Sequence, residues 1–162
     1  KLIHVLNGGL KKWKSENKPT TSIITKINPT KYTSSERKNL VKNKSEINEN
    51  INSEKFKVID ARSKERFEGK VKEPRKGLRS GSIPKSMCIP FGNLINDDNT
   101  FKNENEILNI FKNTLGEEIT TNIVFSCGSG VTASVLALAY SLINNKYMPT
   151  IYDGSWAEYG KN

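Results

Sequence analysis

Blocks of apolar residues along the chain change their spacing from one segment to the next, and this spacing predicts which segments are helices and which are strands. Apolar residues recur at helical intervals over Glu104–Leu115, which predicts an amphipathic helix. The segment Val131–Ile143 is apolar nearly all round, as expected for a helix packed into an interior. Shorter apolar runs at residues 56–59, 87–89 and 123–126 predict strands. Strands that alternate with helices indicate an α/β fold with a parallel sheet.

The amino-terminal third of the chain carries weaker patterns. Residues 23–27 predict a strand, which the pair Asn28 and Pro29 would end. Ser34 or Ser35 is expected to cap a following helix. That helix would carry three apolar residues on one side, namely Leu40, Val41 and Ile47.

Residues 3–13 repeat the pattern of residues 150–159. Both segments predict a short strand, then a glycine-containing turn, then the start of a helix that bears an aromatic side chain. His4 is the only histidine of the chain and lies in the first of these predicted strands. We therefore expect it to be structural.

Composition and charge narrow the class of protein. The 162 residues are enough for one domain with a layered α/β core. The formal net charge is +9, but the lysines are scattered, whereas a nucleic-acid site would need a basic patch with interleaved aromatics. No run reaches the roughly 20 apolar residues that a membrane span requires. We therefore expect neither nucleic acid nor a membrane as a partner.

The only cysteines, Cys88 and Cys127, indicate no disulfide framework and favour a cytoplasmic location.

A single cysteine follows the predicted strand at residues 123–126 and opens a Gly-Ser-Gly loop that leads into the apolar helix. Backbone N–H groups converge in such a loop, and the helix adds its positive dipole end, so an anion on the Cys127 sulfur would be stabilised. The alternative is a small core cysteine beside a strand-to-helix turn. The local pattern leaves both interpretations open.

The length of this loop restricts the chemistry further. Six residues run from Cys127 to Thr132, and no arginine closes the loop. A cysteine phosphatase needs a longer loop that ends in arginine, because the phosphoryl group must fit inside and its charge must be neutralised. The short loop leaves room for little more than an added sulfur atom. It therefore favours a persulfide over a phosphoryl group.

The cysteine loop and five further segments, which follow one another in the same order, resemble the catalytic domain of the two-domain rhodanese-like sulfurtransferases. The Cys-Gly-Ser-Gly-Val-Thr loop is similar to that of the 3-mercaptopyruvate sulfurtransferases, whereas thiosulfate sulfurtransferases carry Arg-Lys after the cysteine. The resemblance extends from residue 56 to residue 159. The other matching segments are Val-Ile-Asp-Ala-Arg at 58–62, Arg-Phe-Glu-Gly at 66–69, Glu-Pro-Arg-Lys-Gly at 73–77, Ile-Pro-Phe at 89–91 and Ile-Tyr-Asp-Gly-Ser-Trp at 151–156.

The resemblance implies a rhodanese-like three-layer α/β/α domain with a central, mostly parallel sheet. It also implies that Cys127 takes the sulfur of 3-mercaptopyruvate as a persulfide and releases pyruvate. The sulfur would pass to a thiol acceptor, such as thioredoxin or a small thiol, or to cyanide in an assay. Ser129 is implied as a second catalytic residue that donates a hydrogen bond, although a small residue would also suit a tight loop. No metal and no organic cofactor are implied.

Two arginines fall on the positions at which the family binds the carboxylate of mercaptopyruvate. Arg66 and Arg75 lie in a loop-rich stretch, and a guanidinium offers a planar fork that matches a carboxylate. Without the resemblance, both would be interpreted as solvated surface charges. The loop residues expected to complete the substrate site are Gly128, Gly130, Val131 and Thr132.

Asp60 and Arg62 are expected to support the site rather than to react. Asp60 stands at a strand end, where a carboxylate can accept backbone N–H groups and hold a loop. Arg62 is expected to pair with Asp60 or with Glu73. Cys88 lies in an apolar strand, and we expect it to be a core residue.

The resemblance also predicts how the chain is organised. Residues 1–18 resemble the closing elements of an upstream rhodanese-like domain. Residues 19–160 resemble the catalytic domain, of which residues 19–54 form a linker and lead-in. In the family the substrate cleft lies between two such domains, so the upstream domain is an expected partner.

Two other functions remain open from the sequence. A thiosulfate sulfurtransferase would use the same nucleophile, although a dianionic donor should favour cations in the loop, and Gly128 and Ser129 supply none. A non-catalytic sulfur-carrier or interaction module would accept sulfur from a partner protein without turning over free mercaptopyruvate.

Overall fold

A five-stranded parallel sheet forms the centre of the molecule. The structure is a computed structural model and describes residues 3–117 and 119–161. The strand order is β1-β5-β4-β2-β3, and every strand pair within this part of the chain is parallel. The strands are β1 (Val41–Lys42), β2 (Lys57–Asp60), β3 (Met87–Cys88), β4 (Ile123–Ser126) and β5 (Ile151–Tyr152).

Helices connect the strands, and the strongest sequence patterns give their positions correctly. The two helices predicted over Glu104–Leu115 and Val131–Ile143 are confirmed over those residues. Short 3-10 helices occur at Lys38–Leu40 and Phe91–Leu94. The α-helices are α1 (Gly9–Ser15), α2 (Lys44–Ser53), α3 (Lys64–Phe67), α4 (Glu104–Leu115), α5 (Val131–Ile143) and α6 (Ser155–Tyr159).

The core divides into two clusters, one on each face of the sheet. Successive side chains of a strand point to opposite faces, and in β4 Phe125 packs with α4 and α5 while Val124 packs with α2 and α6. On the α4 and α5 side, the rings of Phe111, Phe125 and Tyr140 meet edge to face. The arrangement is a three-layer α/β/α domain, as the sequence predicts.

The sheet places the carboxyl ends of β2 and β4 side by side. β4 is central, with β5 and β2 beside it, and β2 ends at Asp60 in register with Ser126. The N–H of Ala61 donates to the Ser126 carbonyl at 2.8 Å, which continues the pairing by one residue. Ligands of parallel sheets bind beyond the carboxyl ends of the strands. The residues that follow β2 and β4 therefore share one end of the sheet.

Two strands predicted in the amino-terminal third are wrong. Residues 3–6 and 23–27 form no strand, and the side chains of Ile23 and Ile24 are 80% and 88% exposed. A strand is stable only beside a neighbour that pairs its backbone groups, and no strand of the described residues runs beside either segment. His4 lies in the first of these irregular segments and is exposed.

The helix predicted after Ser34 or Ser35 is also misplaced. The helix of this region, α2, begins after Asn43, whose side chain accepts from the N–H of Glu46 while the Glu46 carboxylate accepts from the N–H of Asn43. The N-cap of α2 is therefore Asn43, which lies eight or nine residues after the two serines. The capping box explains this position, because it satisfies N–H groups at the helix start from both sides. Val41 belongs to β1 and pairs with Ile151.

The first described residues contact the domain through polar groups. The Asn7 side chain accepts from the N–H of Phe101 at 2.9 Å, and Lys12 of α1 forms an ion pair with Asp98 at 2.8 Å. Helix α1 buries none of its side chains. Among the described residues, no helix combines the length and the apolar character needed to cross a membrane.

Candidate active site

The loop after β4 places a cysteine at the floor of a cavity. β4 ends at Ser126, and α5 begins at Val131, so Cys127 lies between the end of a central strand and the start of a helix. The Cys127 side chain is almost inaccessible, with a residue exposure of 1%. The N–H of Ser129 points at its sulfur, with an N···Sγ distance of 3.4 Å.

The groups around the sulfur favour its anionic form. Burial alone would raise the pKa of the Cys127 thiol, but the Thr132 hydroxyl and the backbone N–H groups of Ser129, Ala133 and Thr132 donate to the sulfur. These hydrogen bonds outweigh burial and lower the pKa of Cys127. The positive end of the α5 dipole acts in the same direction. The site therefore holds a thiolate more readily than an ordinary cysteine.

Residues at the start of α6 hold the cysteine loop through hydrogen bonds to its backbone. The buried Ser155 hydroxyl accepts from the N–H groups of Cys127 and Gly130, both at 3.1 Å, and donates to the Tyr152 carbonyl at 2.8 Å. The N–H groups of Trp156 and Ala157 donate to the Cys127 and Gly128 carbonyls, both at 2.9 Å. Four backbone groups of the loop are thus fixed by one neighbouring turn.

Glycine is required at one position of this loop by both conformation and space. Gly130 has a φ of 82°, and a Cβ there would lie 2.8 Å from the Asp153 carboxylate. Gly128 has an ordinary φ, but a Cβ there would lie 3.1 Å from Nη2 of Arg66. The guanidinium of Arg66 therefore lies directly against the cysteine loop.

A cavity of about 240 Å³ opens above Cys127. One wall comes from the cysteine loop and the first turn of α5, and the other wall comes from α3 and the segment that follows it. The lining residues are Arg66, Glu73, Pro74, Arg75, Cys127, Gly128, Ser129, Val131 and Thr132.

A row of alternating charges runs from the end of β2 to this cavity. Arg62 is buried, and its Nη2 donates to Asp60 at 2.7 Å while its Nη1 donates to Glu73 at 2.9 Å. Arg66 donates to the same Glu73 carboxylate from Nε at 3.1 Å and from Nη2 at 2.6 Å. The Glu73 side chain is 1% exposed and the Arg66 side chain 27% exposed. Arg66 ends the row, and together with Glu73 it borders the cavity.

Within this row, Glu73 and Arg66 hold each other in their ionised forms. Burial tends to raise the pKa of Glu73, but the hydrogen bonds and charges of Arg66 and Arg62 outweigh it and lower that pKa. The pKa of Arg66 is raised, chiefly by its hydrogen bond to Glu73, and the Cys127 thiolate is among the charges that raise it. Arg66 and Cys127 are thus close enough to interact electrostatically.

The sequence profile of the rhodanese-like domain matches residues 43–162. This chain belongs to the rhodanese family. It is 34% identical over 157 residues to a mouse (Mus musculus) 3-mercaptopyruvate sulfurtransferase, covering 97% of this chain and 52% of the relative. It is 33% identical over 158 residues to a rat (Rattus norvegicus) thiosulfate sulfurtransferase, with 97% and 52% covered.

A solved structure agrees at the level of the fold. The Tum1 protein of Saccharomyces cerevisiae superposes with a TM-score of 0.77 and 24% identity, covering 94% of this chain and 55% of Tum1. The chain spans about half the length of the curated relatives that it matches.

The rhodanese-like domain brings most of the predicted site residues together. Both arginines border the cavity with Cys127, and so do the loop residues Gly128, Ser129, Val131 and Thr132. Gly130 does not border it, because its N–H donates to Ser155 and its conformation serves the turn. The Ser129 backbone N–H contacts the sulfur, while its hydroxyl has no hydrogen bond to any residue that the structure describes.

The two predicted arginines have different surroundings. Arg66 is held by Glu73, whereas Arg75 is exposed and forms no ion pair with the residues of ranges 3–117 and 119–161. Asp60 and Arg62 form the predicted ion pair, and Arg62 also pairs with Glu73 and lies 4.5 Å from the centre of the Trp156 ring. Asp60 also accepts the N–H of Arg62 at 2.9 Å.

The Cys88 sulfur, in contrast, acts as a hydrogen-bond donor. Cys88 is half-buried at the end of β3, and its thiol donates to the Arg62 carbonyl at 3.4 Å. Burial and the nearby Asp60 charge raise the pKa of Cys88 to about 12. The thiol stays protonated at neutral pH.

Two residues that contact the site, Glu73 and Ser155, are not among the site residues that the sequence predicts. The sequence indicates Glu73 only as a partner of Arg62, whereas in the structure it also binds Arg66. Ser155 lies in the Asp-Gly-Ser-Trp motif, and the motif was the available signal for it. Its partners lie 25 and 28 residues away in the sequence, which no local pattern reveals.

The described residues offer little else in the way of reactive sites. No group of three His, Cys, Asp or Glu side chains among them is arranged to hold a metal ion. A larger cavity of about 840 Å³ lies between residues 3–7 and the helices α4 and α5. No cysteine lines this larger cavity, and it shares no lining residue with the Cys127 cavity.

Proposed function

We propose that this rhodanese-like domain is a sulfurtransferase that moves the sulfur of 3-mercaptopyruvate through a persulfide on Cys127. One observation carries the proposal. A thiol with a lowered pKa lies at the floor of a small cavity, surrounded by hydrogen-bond donors and bordered by two arginines. The donors suit an anionic sulfur, and the arginines suit a carboxylate.

In the first half-reaction the Cys127 thiolate attacks the sulfur of the donor. A sulfur–sulfur bond forms, the carbon–sulfur bond breaks, and the electron pair goes to carbon as the enolate of pyruvate. The proton of the donor thiol ends on that carbon, so that pyruvate leaves and Cys127 keeps a persulfide anion. The N–H groups of Ser129, Thr132 and Ala133 and the Thr132 hydroxyl are placed to stabilise the anionic sulfur.

The donor would be oriented by its carboxylate. Arg66 and Arg75 border the same cavity as Cys127, and each can donate charge-assisted hydrogen bonds to a carboxylate. The Ser129 hydroxyl, which lines the cavity, is available to donate to the leaving group. Gly128, Val131 and Thr132 supply the remaining wall.

In the second half-reaction an acceptor thiolate attacks the outer sulfur. The sulfur–sulfur bond of the Cys127 persulfide breaks, the outer sulfur leaves as an acceptor persulfide, and the Cys127 thiolate is regenerated. Thioredoxin or a small thiol would serve as the acceptor. Because Cys127 is 1% exposed, the acceptor thiol must enter the cavity to reach the sulfur.

Mass spectrometry tests this proposal directly. We expect the reduced protein to gain the mass of one sulfur atom on Cys127 after exposure to 3-mercaptopyruvate, with release of pyruvate. The added sulfur should disappear when a thiol or cyanide is supplied. A protein that gains no sulfur from mercaptopyruvate would contradict the proposal.

Thiosulfate is the second candidate donor, because the chain is also 33% identical to a thiosulfate sulfurtransferase. It would use the same Cys127 persulfide. We expect it to be the poorer donor, because Gly128 and Ser129 place no cation inside the loop. Sulfur uptake from thiosulfate alone would favour this candidate.

The organisation of the whole protein forms part of the proposal. We propose that residues 1–18 close an upstream rhodanese-like domain and that residues 19–160 form the catalytic domain. The relatives are about twice as long as the matched region, which supports this division. A carrier module that receives sulfur from a partner protein is the alternative, and it predicts a persulfide without turnover of free mercaptopyruvate.

A cytoplasmic location is proposed because both cysteines are free, as in a reducing compartment.

A further inference from the structure

The buried carboxylate of Glu73 lies in the wall of a cavity that the proposed function assigns to an anionic donor. Negative charge is unexpected at that place, because it repels the molecule that the cavity is meant to bind. Glu73 accepts three hydrogen bonds from two arginines, one from Arg62 and two from Arg66. It is therefore a built part of the site and not a stray surface charge.

The first consequence of this carboxylate concerns geometry. Nε and Nη2 of Arg66 both donate to Glu73, at 3.1 and 2.6 Å, which is a two-pronged contact with a planar fork. The same Nη2 lies against the loop, 3.1 Å from where a Cβ of Gly128 would be. Glu73 thus fixes the guanidinium of Arg66 beside the cysteine.

The second consequence concerns charge. In the row Asp60, Arg62, Glu73 and Arg66, two carboxylates balance two guanidiniums, and all but Arg66 are buried. Arg66 therefore offers hydrogen bonds to the cavity with its charge already compensated. Arg75, exposed and in no ion pair within the part of the chain described, is the cation in the cavity wall that remains uncompensated.

We propose that Glu73 is a positioning residue that also sets the charge preference of the site, so that it accepts singly charged sulfur donors more readily than doubly charged ones. The inference rests on the proposed function. Because the Cys127 thiolate is also negative, Arg75 is the cation of the described cavity wall that is left to attract a donor, and mercaptopyruvate brings a single carboxylate charge to it. Thiosulfate carries two charges, and the second one meets the Glu73 carboxylate without a cation of its own.

Two substitutions should move the donor preference in opposite directions. Glu73→Gln removes the negative charge at nearly unchanged shape, and it should raise the ratio of kcat/KM for thiosulfate to that for mercaptopyruvate on the order of tenfold. Arg66→Gln removes a positive charge from the same row together with a donor to the mercaptopyruvate carboxylate, so kcat/KM should fall for both donors and further for the doubly charged one, which lowers that ratio. Glu65→Gln, on the exposed side of α3, is the matched control and should leave the ratio unchanged.

Glu73→Asp separates the two roles. It keeps the charge but shortens the side chain, so Arg66 loses its position, and kcat/KM should fall for both donors with little change in their ratio. If Glu73→Gln fails to fold, Arg66→Gln decides the matter, since its partially exposed side chain makes folding less dependent on it. An unchanged ratio in the folded variants would overturn the inference.

The wild-type protein distinguishes this inference from the proposed function. Sulfur uptake from mercaptopyruvate in the wild type supports the proposed function, whatever Glu73 does. Uptake in the wild type with an unchanged donor ratio in Glu73→Gln and Arg66→Gln would overturn only the role of Glu73. No uptake from either donor would overturn both.

Discussion

Cys127 and Cys88 lie at the carboxyl ends of two strands of the same sheet, yet their thiols have opposite chemistry. Cys127 is the more buried of the two, and its pKa is lowered, whereas Cys88 is half-buried and its pKa is raised to about 12. Burial alone would rank them the other way. The difference lies in the neighbours of each sulfur.

The Cys127 sulfur faces donors, and the Cys88 sulfur faces acceptors. Backbone N–H groups and the Thr132 hydroxyl point at Cys127, while Cys88 donates its own proton to the Arg62 carbonyl and lies near the Asp60 charge. A strand that ends in a loop and a helix start exposes N–H groups to its last side chain. The comparison shows that hydrogen-bond donors of the local backbone determine the pKa of a thiol more than its degree of burial does.

The largest effect is expected from removing each cysteine in turn. Cys127→Ser should abolish sulfur uptake from mercaptopyruvate, because the hydroxyl cannot form a persulfide. Cys88→Ser should retain it. Mass spectrometry after exposure to the donor checks both variants, and full uptake by Cys127→Ser would show that the wrong sulfur has been assigned.

The pH dependence of alkylation should separate the two thiols by at least about a hundredfold in rate at pH 8, since only the thiolate reacts. The pKa of Cys127 is lowered, so its thiolate should persist at lower pH, and its rate should fall only as pH drops through that pKa. With a pKa of about 12, Cys88 should be a thiolate in roughly one molecule in ten thousand at pH 8.

Iodoacetamide labelling followed by peptide mass spectrometry measures both rates in one sample. Labelling in the presence of mercaptopyruvate should protect Cys127 and leave Cys88 as before. Similar rates for the two cysteines at pH 8 would refute the comparison on which this prediction rests.

The fold was predictable wherever local signals agreed. The apolar spacing alone predicts α4 correctly, and a capping box at Asn103 and Glu106 marks the start of that helix. The helix expected after Ser34 or Ser35 is misplaced, because the cap that the structure uses is Asn43. Residues 23–27 resemble a strand by composition, but whether a strand forms depends on a neighbour that the segment itself does not encode.

The candidate site was predictable for the groups that lie close together in sequence. Cys127 and the donors near it belong to one loop and one helix turn, so the motif indicated them directly. Glu73 and Ser155 act on residues from other segments, and only the folded chain brings them together. The difference between Arg66 and Arg75 has the same origin, because it depends on where Glu73 packs.

Substituting each arginine tests whether these cations bind the donor rather than stabilise the Cys127 sulfur. Arg66→Ala and Arg75→Ala should each lower kcat/KM for mercaptopyruvate by roughly tenfold to a hundredfold, since a charge-assisted hydrogen bond contributes about 1.5–3 kcal/mol. The loss should appear chiefly in KM. Arg→Lys should restore little where the contact is bidentate, because an ammonium is a point charge.

These kinetics should be measured in this chain and in a longer form that carries the proposed upstream domain. Lys76→Ala is the matched control, as an exposed cation next to Arg75 outside the cavity lining. Wild-type kinetics in both folded alanine variants would make Arg66 and Arg75 irrelevant to the donor.

Thr132→Val tests a single donor to the Cys127 sulfur. Valine has nearly the shape of threonine without the hydroxyl, so the pKa of Cys127 should rise by about one unit, the equivalent of one charge-assisted hydrogen bond. Below that pKa, sulfur uptake should fall about tenfold. Ser141→Ala removes a hydroxyl from the far end of the same helix and should change neither quantity. An unshifted alkylation profile in Thr132→Val would leave the backbone N–H groups as the whole cause.

The smallest effect is expected from exchanging the loop pair. Gly128→Arg together with Ser129→Lys should shift the donor preference toward thiosulfate by roughly three- to tenfold, because cations beside the sulfur help a dianion more than a monoanion held by its carboxylate. The shift is limited by space, since even a Cβ at position 128 would lie 3.1 Å from Nη2 of Arg66 and would displace that guanidinium. Gly128→Ala adds the Cβ without charge and serves as the control. If it changes the ratio of kcat/KM for the two donors as much as the charged pair does, displacement of Arg66 and not loop charge determines donor choice.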